Sequence, residues 1–136
     1  MDTACLNQTI SLYRPIGPGQ LQAILDSGSR RFPDRKTNQK FFYPLLHEAF
    51  AHFIARHWQL RNSGVGYVTM FEVRQSFVQD LPIFRMGGPE HQEYRIEAQS
   101  LPCLNDNIVG KISVIAVYKQ DKAAVNREQF GALVAN

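Results

Sequence analysis

Residues 66–73 read Gly-Tyr-Val-Thr-Met-Phe-Glu-Val, a run crowded with β-branched and aromatic side chains that suit a pleated, half-buried surface. The run predicts a long strand. On its N-terminal side Asn62-Ser63-Gly64 ends a helical pattern over residues 45–58. Leu46, Ala49, Phe50, Phe53, Ile54 and His57 fall on one side of that helix, with Glu48, His52 and Arg56 away from it. On the C-terminal side strand signals crowd together. Residues 74–80 predict a short helical turn with Phe77 and Val78 inward, 82–86 a brief strand closed by Gly87-Gly88-Pro89, and 93–97 another strand. Residues 99–107 read as a loop or single helical turn. The last strand, 111–118, sets Ile112, Val114, Ala116 and Tyr118 against Ser113, Ile115 and Val117. Both its faces are largely apolar, which predicts a central place in the sheet.

Toward the N-terminus, residues 9–14 predict a first strand closed by Pro15-Ile16-Gly17-Pro18-Gly19. Leu21, Ile24 and Leu25 then recur at helical spacing, with Gly28 where a C-terminal cap belongs. Residues 29–40 are polar and turn-rich, a surface loop by composition, and Phe41-Phe42-Tyr43 is a short extended piece stopped by Pro44. Strands outnumber helices and cluster late. That order predicts an α+β fold with mostly antiparallel strands and two or three helices, not a doubly wound parallel sheet. One domain accounts for residues 1–136, with its core at about 9–118 and a polar tail at 119–136 in which Phe130 and Leu133 are able to dock.

A hydrophobic fraction of 44% over 136 residues supports a real core and excludes a disordered chain. No apolar run approaches the ~20 residues of a membrane-spanning helix. Met1-Asp2-Thr3-Ala4-Cys5 shows neither a basic nor an apolar leader, so no membrane partner and a cytoplasmic location are expected. Cys5 and Cys103 share no ligand or redox spacing and read as free thiols, Cys103 as a small buried hydrophobe. The basic residues are scattered apart from Arg30-Arg31 and Arg35-Lys36, which argues against nucleic acid as a partner. A short basic loop also suits a phosphate-bearing small molecule.

His47, His52 and His57 are spaced by five, which rotates each by roughly 140° around a helix and keeps them from one ion. No metal is expected. Gly17-Pro18-Gly19 lacks the Lys-Ser/Thr of a phosphate loop and reads as a turn. Gly87-Gly88-Pro89-Glu90-His91-Gln92-Glu93 is different: two carboxylates bracket a histidine just before a strand, where a ligand meets a sheet's end. Arg14 closes an apolar strand, either as a solvent-facing end residue or as a guanidinium held for an anion. Tyr43 is either core or a shelf for a flat ring.

Five segments together carry a resemblance: Leu12-Tyr13-Arg14-Pro15-x-Gly17, Phe42-Tyr43-Pro44, Gly66-Tyr67-Val68-Thr69-x-Phe71-Glu72-Val73, Gly88-x-Glu90-His91-x-Glu93 and Asn107-Ile108-Val109-Gly110-x-Ile112. From about Ser11 to Val117 the chain resembles a family of small, uncharacterised bacterial proteins labelled ADP-ribosylation/crystallin J1. The glycohydrolases related to crystallin J1 are longer and all-helical, and bind magnesium through clustered aspartates. Here six aspartates are dispersed and the chain is rich in strands, so the resemblance points to the other side of that chemistry, the ADP-ribosyltransferase-like fold. Such domains carry an Arg or His on the first strand, an aromatic or Ser on a middle segment and a Glu on a later strand. Arg14, Tyr43 and Glu93 match in that order. The Ser-Thr-Ser pattern of one branch and the second tyrosine of the toxin-like branch are absent.

The resemblance implies that NAD is a substrate, in ADP-ribosyl transfer or NAD glycohydrolysis. Glu93 is then catalytic, Arg14 holds the pyrophosphate or adjacent ribose, and Tyr43 stacks on nicotinamide. His91 and Glu90 orient the acceptor or Glu93. The implied partners are a nucleotide ligand and an acceptor whose identity the resemblance leaves open. The alternative is a non-catalytic interaction or ligand-binding module on the same fold, holding a partner with the Arg30–Lys36 loop and the Gly87–Glu93 turn.

Overall fold

The computed structural model describes residues 8–120; Cys5, Phe130 and Leu133 lie outside the described residues. It is a mixed α+β domain built on antiparallel strands. β1 (Thr9–Ile16) and β7 (Ile108–Lys119) flank β3 (Val65–Arg74) in one sheet. The registers run from Thr9 opposite Arg74 to Ile16 opposite Tyr67, and from Val65 opposite Lys119 to Val73 opposite Ile108. The central strand is therefore 65–74 rather than the last one. β7 is an edge, and Val109, Val114, Ile115 and Val117 stay exposed on it. An apolar alternation on both faces reports burial only where other elements cover both faces, and here they do not.

Four helical stretches are present among the described residues. α1 (Pro18–Asp26) follows the predicted turn, with Pro18 at its first position and Gly28 just beyond its end at φ 76°. α2 covers residues 48–63: an α segment (Glu48–Ile54), a π turn (Ala55–Gln59) and a last α turn (Leu60–Ser63). α3 (Gln75–Val78) and α4 (Leu101–Asp106) are short. The face of α2 differs from the sequence reading. Ala51 and Ala55 are its fully buried residues, packed with Leu45 and Val68, while Phe53 and His57 are exposed. Small side chains let the helix axis come close to the sheet. Gly66 shows how close: a Cβ there would sit 2.3 Å from the Ala55 carbonyl oxygen.

Residues 29–40 are not simply a surface loop. Phe32 is buried, its ring centroid 4.8 Å from those of both Phe42 and Phe71. Asn105 holds that turn of chain, its Oδ1 accepting from the Phe32 N–H at 2.9 Å and its Nδ2 donating to the Phe32 carbonyl at 3.0 Å. Arg31 pairs with Asp106 at 2.8 Å and the Arg35 Nε donates to the Phe41 carbonyl at 3.0 Å, so two of the loop's cations have intramolecular partners. Cys103, read as a buried hydrophobe, is exposed, because Leu101 and Leu104 occupy the inner face of α4.

The remaining strands are two-residue pieces. β2 (Phe41–Phe42) pairs with β6 (Ile96–Glu97), and β4 (Phe84–Arg85) pairs with β5 (Gln92–Glu93). The single strand expected over 93–97 is thus split, each half serving a different partner. Leu45 joins the pieces to the main sheet, bridging Tyr13 on one side and Glu93 on the other. The Tyr13 N–H donates to the Leu45 carbonyl at 2.9 Å, and the Tyr94 N–H to the Pro44 carbonyl at 3.0 Å. Residues 43–45 are thereby sewn between β1 and β5.

Candidate functional site

That seam brings together residues far apart in the chain. Arg14, Tyr43, His91 and Glu93 line one cleft of about 320 Å³, with Phe50 and Trp58 on its helical side. Arg14 sits on β1, Tyr43 just after β2 and Glu93 on β5. Glu90 does not reach this cleft. It lines a second one, of about 440 Å³, that adjoins the first through Phe50 and His91.

Glu93 is 7% exposed and held at both oxygens. Its Oε1 accepts from His91 Nε2 at 2.9 Å and its Oε2 from Arg95 Nε at 3.0 Å. A carboxylate only accepts, so the His91 proton is on Nε2. The imidazole lies flat on Phe50, with centroids 3.9 Å apart and planes 21° from parallel. The Arg95 guanidinium lies 4.0 Å over the Phe84 ring. The carboxylate is thus fixed in place, and a fixed carboxylate can face developing positive charge without first reorganising.

Arg14 is the electrostatic opposite. Its Nη1 donates to the Tyr43 carbonyl at 3.3 Å, and its guanidinium lies 4.4 Å from the Phe42 ring centroid. Its Nε is sealed from solvent with no hydrogen-bond partner. No carboxylate among the described residues pairs with it. Burial pushes its pKa down to about 9, and the nearby Arg35 guanidinium adds to the shift. Arg14 as a whole is half-buried, and a partly desolvated cation without a counter-ion is costly unless a partner arrives.

Three contributors escaped the sequence reading. Arg95 stands two residues from Glu93 within what read as one strand, and residues two apart share a strand face; that spacing was its signal. Phe50 read as core, although it walls both clefts. Trp58, 64% exposed, had no signal beyond being the chain's one tryptophan. Among the described residues no group of three or more His, Cys, Asp or Glu is placed to hold a metal, and no helix is long and apolar enough to cross a membrane. No protein-family model, curated protein or solved structure matches the chain.

Proposed function

We propose that this chain is an ADP-ribosyltransferase-like domain that binds NAD in the Arg14–Glu93 cleft and transfers or hydrolyses its ADP-ribosyl group. The observation that supports this is the convergence of Arg14, Tyr43, His91 and Glu93 on one cleft from three separate stretches of sequence. The half-buried Arg14, its Nε sealed and unpartnered, suits the pyrophosphate, whose oxygens accept charge-assisted hydrogen bonds. Tyr43 and Trp58 offer flat surfaces beside it. When the ribose–nicotinamide bond breaks, its electron pair leaves with nicotinamide and positive charge grows on the ribose. Glu93, held by His91 and Arg95, stabilises that charge, as carboxylates do in glycoside cleavage.

The test is nicotinamide release from NAD by the purified protein beside its Glu93→Gln variant. The expected result is release by the native chain and a loss of about a hundredfold or more in the variant. Release that persists unchanged in Glu93→Gln overturns the assignment. One observation favours a non-catalytic ligand-binding module instead: both Glu93 oxygens already have side-chain partners. NAD binding without any release is the outcome that selects this second reading.

A further inference from the structure

A chain of polar groups that the proposed chemistry does not use reaches the second cleft through His52 and Tyr118. Glu48 Oε2 lies 2.9 Å from His52 Nε2, and His52 Nδ1 lies 2.7 Å from the Tyr118 hydroxyl. The carboxylate only accepts, so it fixes the imidazole proton on Nε2 and leaves Nδ1 as the acceptor. The Tyr118 hydroxyl therefore donates inward to His52. Its oxygen keeps acceptor capacity for a donor entering the cleft that it lines.

The same cleft is also lined by aromatic rings in near-parallel arrangement. His91 stacks on Phe50, and the Phe50 and Phe53 rings are 6.0 Å apart and 9° from parallel. Phe53 is 53% exposed and lines the cleft. An α-helix places positions 50 and 53 one turn apart, so the two rings share a face. Arg56 and Glu90 complete the lining and supply one group of each charge for a polar ring edge. An exposed aromatic ring, a fixed acceptor and a mixed-charge rim select a planar ring with hydrogen-bonding edges over an aliphatic or purely apolar ligand.

We propose that this cleft is a second binding site, taking a planar heteroaromatic base that stacks on the exposed Phe53 ring and donates an N–H to the Tyr118 hydroxyl. It admits that base while the Arg14 cleft is filled. On the transfer reading above it is the acceptor's place, but the binding itself does not rest on that reading.

The experiment is a titration of the full chain with adenosine, guanosine, cytidine and uridine, followed by amide and imidazole NMR shifts, with and without saturating pyrophosphate. At least one nucleoside is expected to shift residues 49–56, 88–91 and 118 at millimolar concentration. Phe53→Ala, at an exposed position that folding tolerates, weakens that binding about tenfold, in line with loss of one stacking face. Tyr118→Phe weakens it about fivefold, by the loss of one hydrogen bond. Pyrophosphate leaves the affinity unchanged. No shift with any of the four nucleosides overturns the proposal, as does binding indifferent to Phe53→Ala. Competition between NAD and the nucleoside also overturns it, because the cleft is then part of the dinucleotide's own site. None of these outcomes bears on nicotinamide release, so this inference and the NAD reading fail separately.

Discussion

Of the three guanidiniums that lie over phenylalanine rings among the described residues, the two nearest are Arg14 over Phe42 at 4.4 Å and Arg95 over Phe84 at 4.0 Å. There the likeness ends. Arg95 donates to the carboxylate of Glu93 and is partly open to solvent. Arg14 has a single long bond to a backbone carbonyl, a sealed Nε and a second cation, Arg35, close by. A stacked arginine with a carboxylate is compensated within the protein. A stacked arginine without one is a deficit that an incoming anion makes good. On the proposed NAD-binding reading, the difference separates a residue that organises the site from one that meets the ligand.

Replacing Arg14 with Met breaks the comparison most sharply. Met matches much of the stem's volume and needs no counter-ion, so thermal stability is expected to hold or rise. Pyrophosphate binding, measured by calorimetry, should fall about a hundredfold, the scale of losing a desolvated charge partner. A variant that binds pyrophosphate normally shows that Arg14 is only core. Arg95→Met should do the reverse. It strips Glu93 of one charged donor while leaving it buried, at a cost of about 2 kcal/mol in denaturant unfolding. If Arg95→Met proves silent and Arg14→Met unfolds the chain, the roles are exchanged.

Sequence patterns disclosed the sheet's members better than their order. The 66–73 run and the 111–118 run both form strands, yet the central one is the first, because partner count is a property of the assembled sheet. Apolar side chains on β7 look the same whether or not a neighbour covers them. On α2 the pattern misassigned the buried face, since Ala51 and Ala55 carry little weight in a hydrophobicity count but allow the approach that Gly66 permits. The candidate cleft was legible only as separate residues. Arg14, Tyr43 and Glu93 meet through the Tyr13–Leu45–Glu93 bridges, which are backbone pairings of an isolated residue and carry no side-chain signature. Arg14's lack of a counter-ion is likewise invisible until burial is known.

Titration sharpens the contrast further. Arg14's pKa is depressed from the ordinary arginine range to about 9 by burial and by Arg35. Below about 9 it is charged in the fold, so pyrophosphate affinity is at its full value there. Above that the charge is lost, and affinity should drop by up to about tenfold per pH unit. Stability runs the other way. Between the folded and unfolded values the unfolded chain binds the extra proton, so the native protein gains stability relative to Arg14→Met as pH rises from 9 toward 12. Calorimetry at pH 7, 9 and 10 checks the first trend; a flat affinity excludes Arg14 as the anion's partner.

The smallest effect tests the compensated side. Glu93 and Arg95 touch, so their substitutions should not add. Glu93→Gln alone leaves a partly exposed guanidinium that water can solvate, and Arg95→Met alone leaves a carboxylate that water cannot. The double variant leaves neither charge, and should be about 1 kcal/mol more stable than the sum of the single losses, a modest coupling because Arg95 is partly solvated. Urea unfolding of the four chains measures it. Strict additivity means that His91 alone compensates Glu93, and the paired arginine is then as free of the carboxylate as Arg14 is.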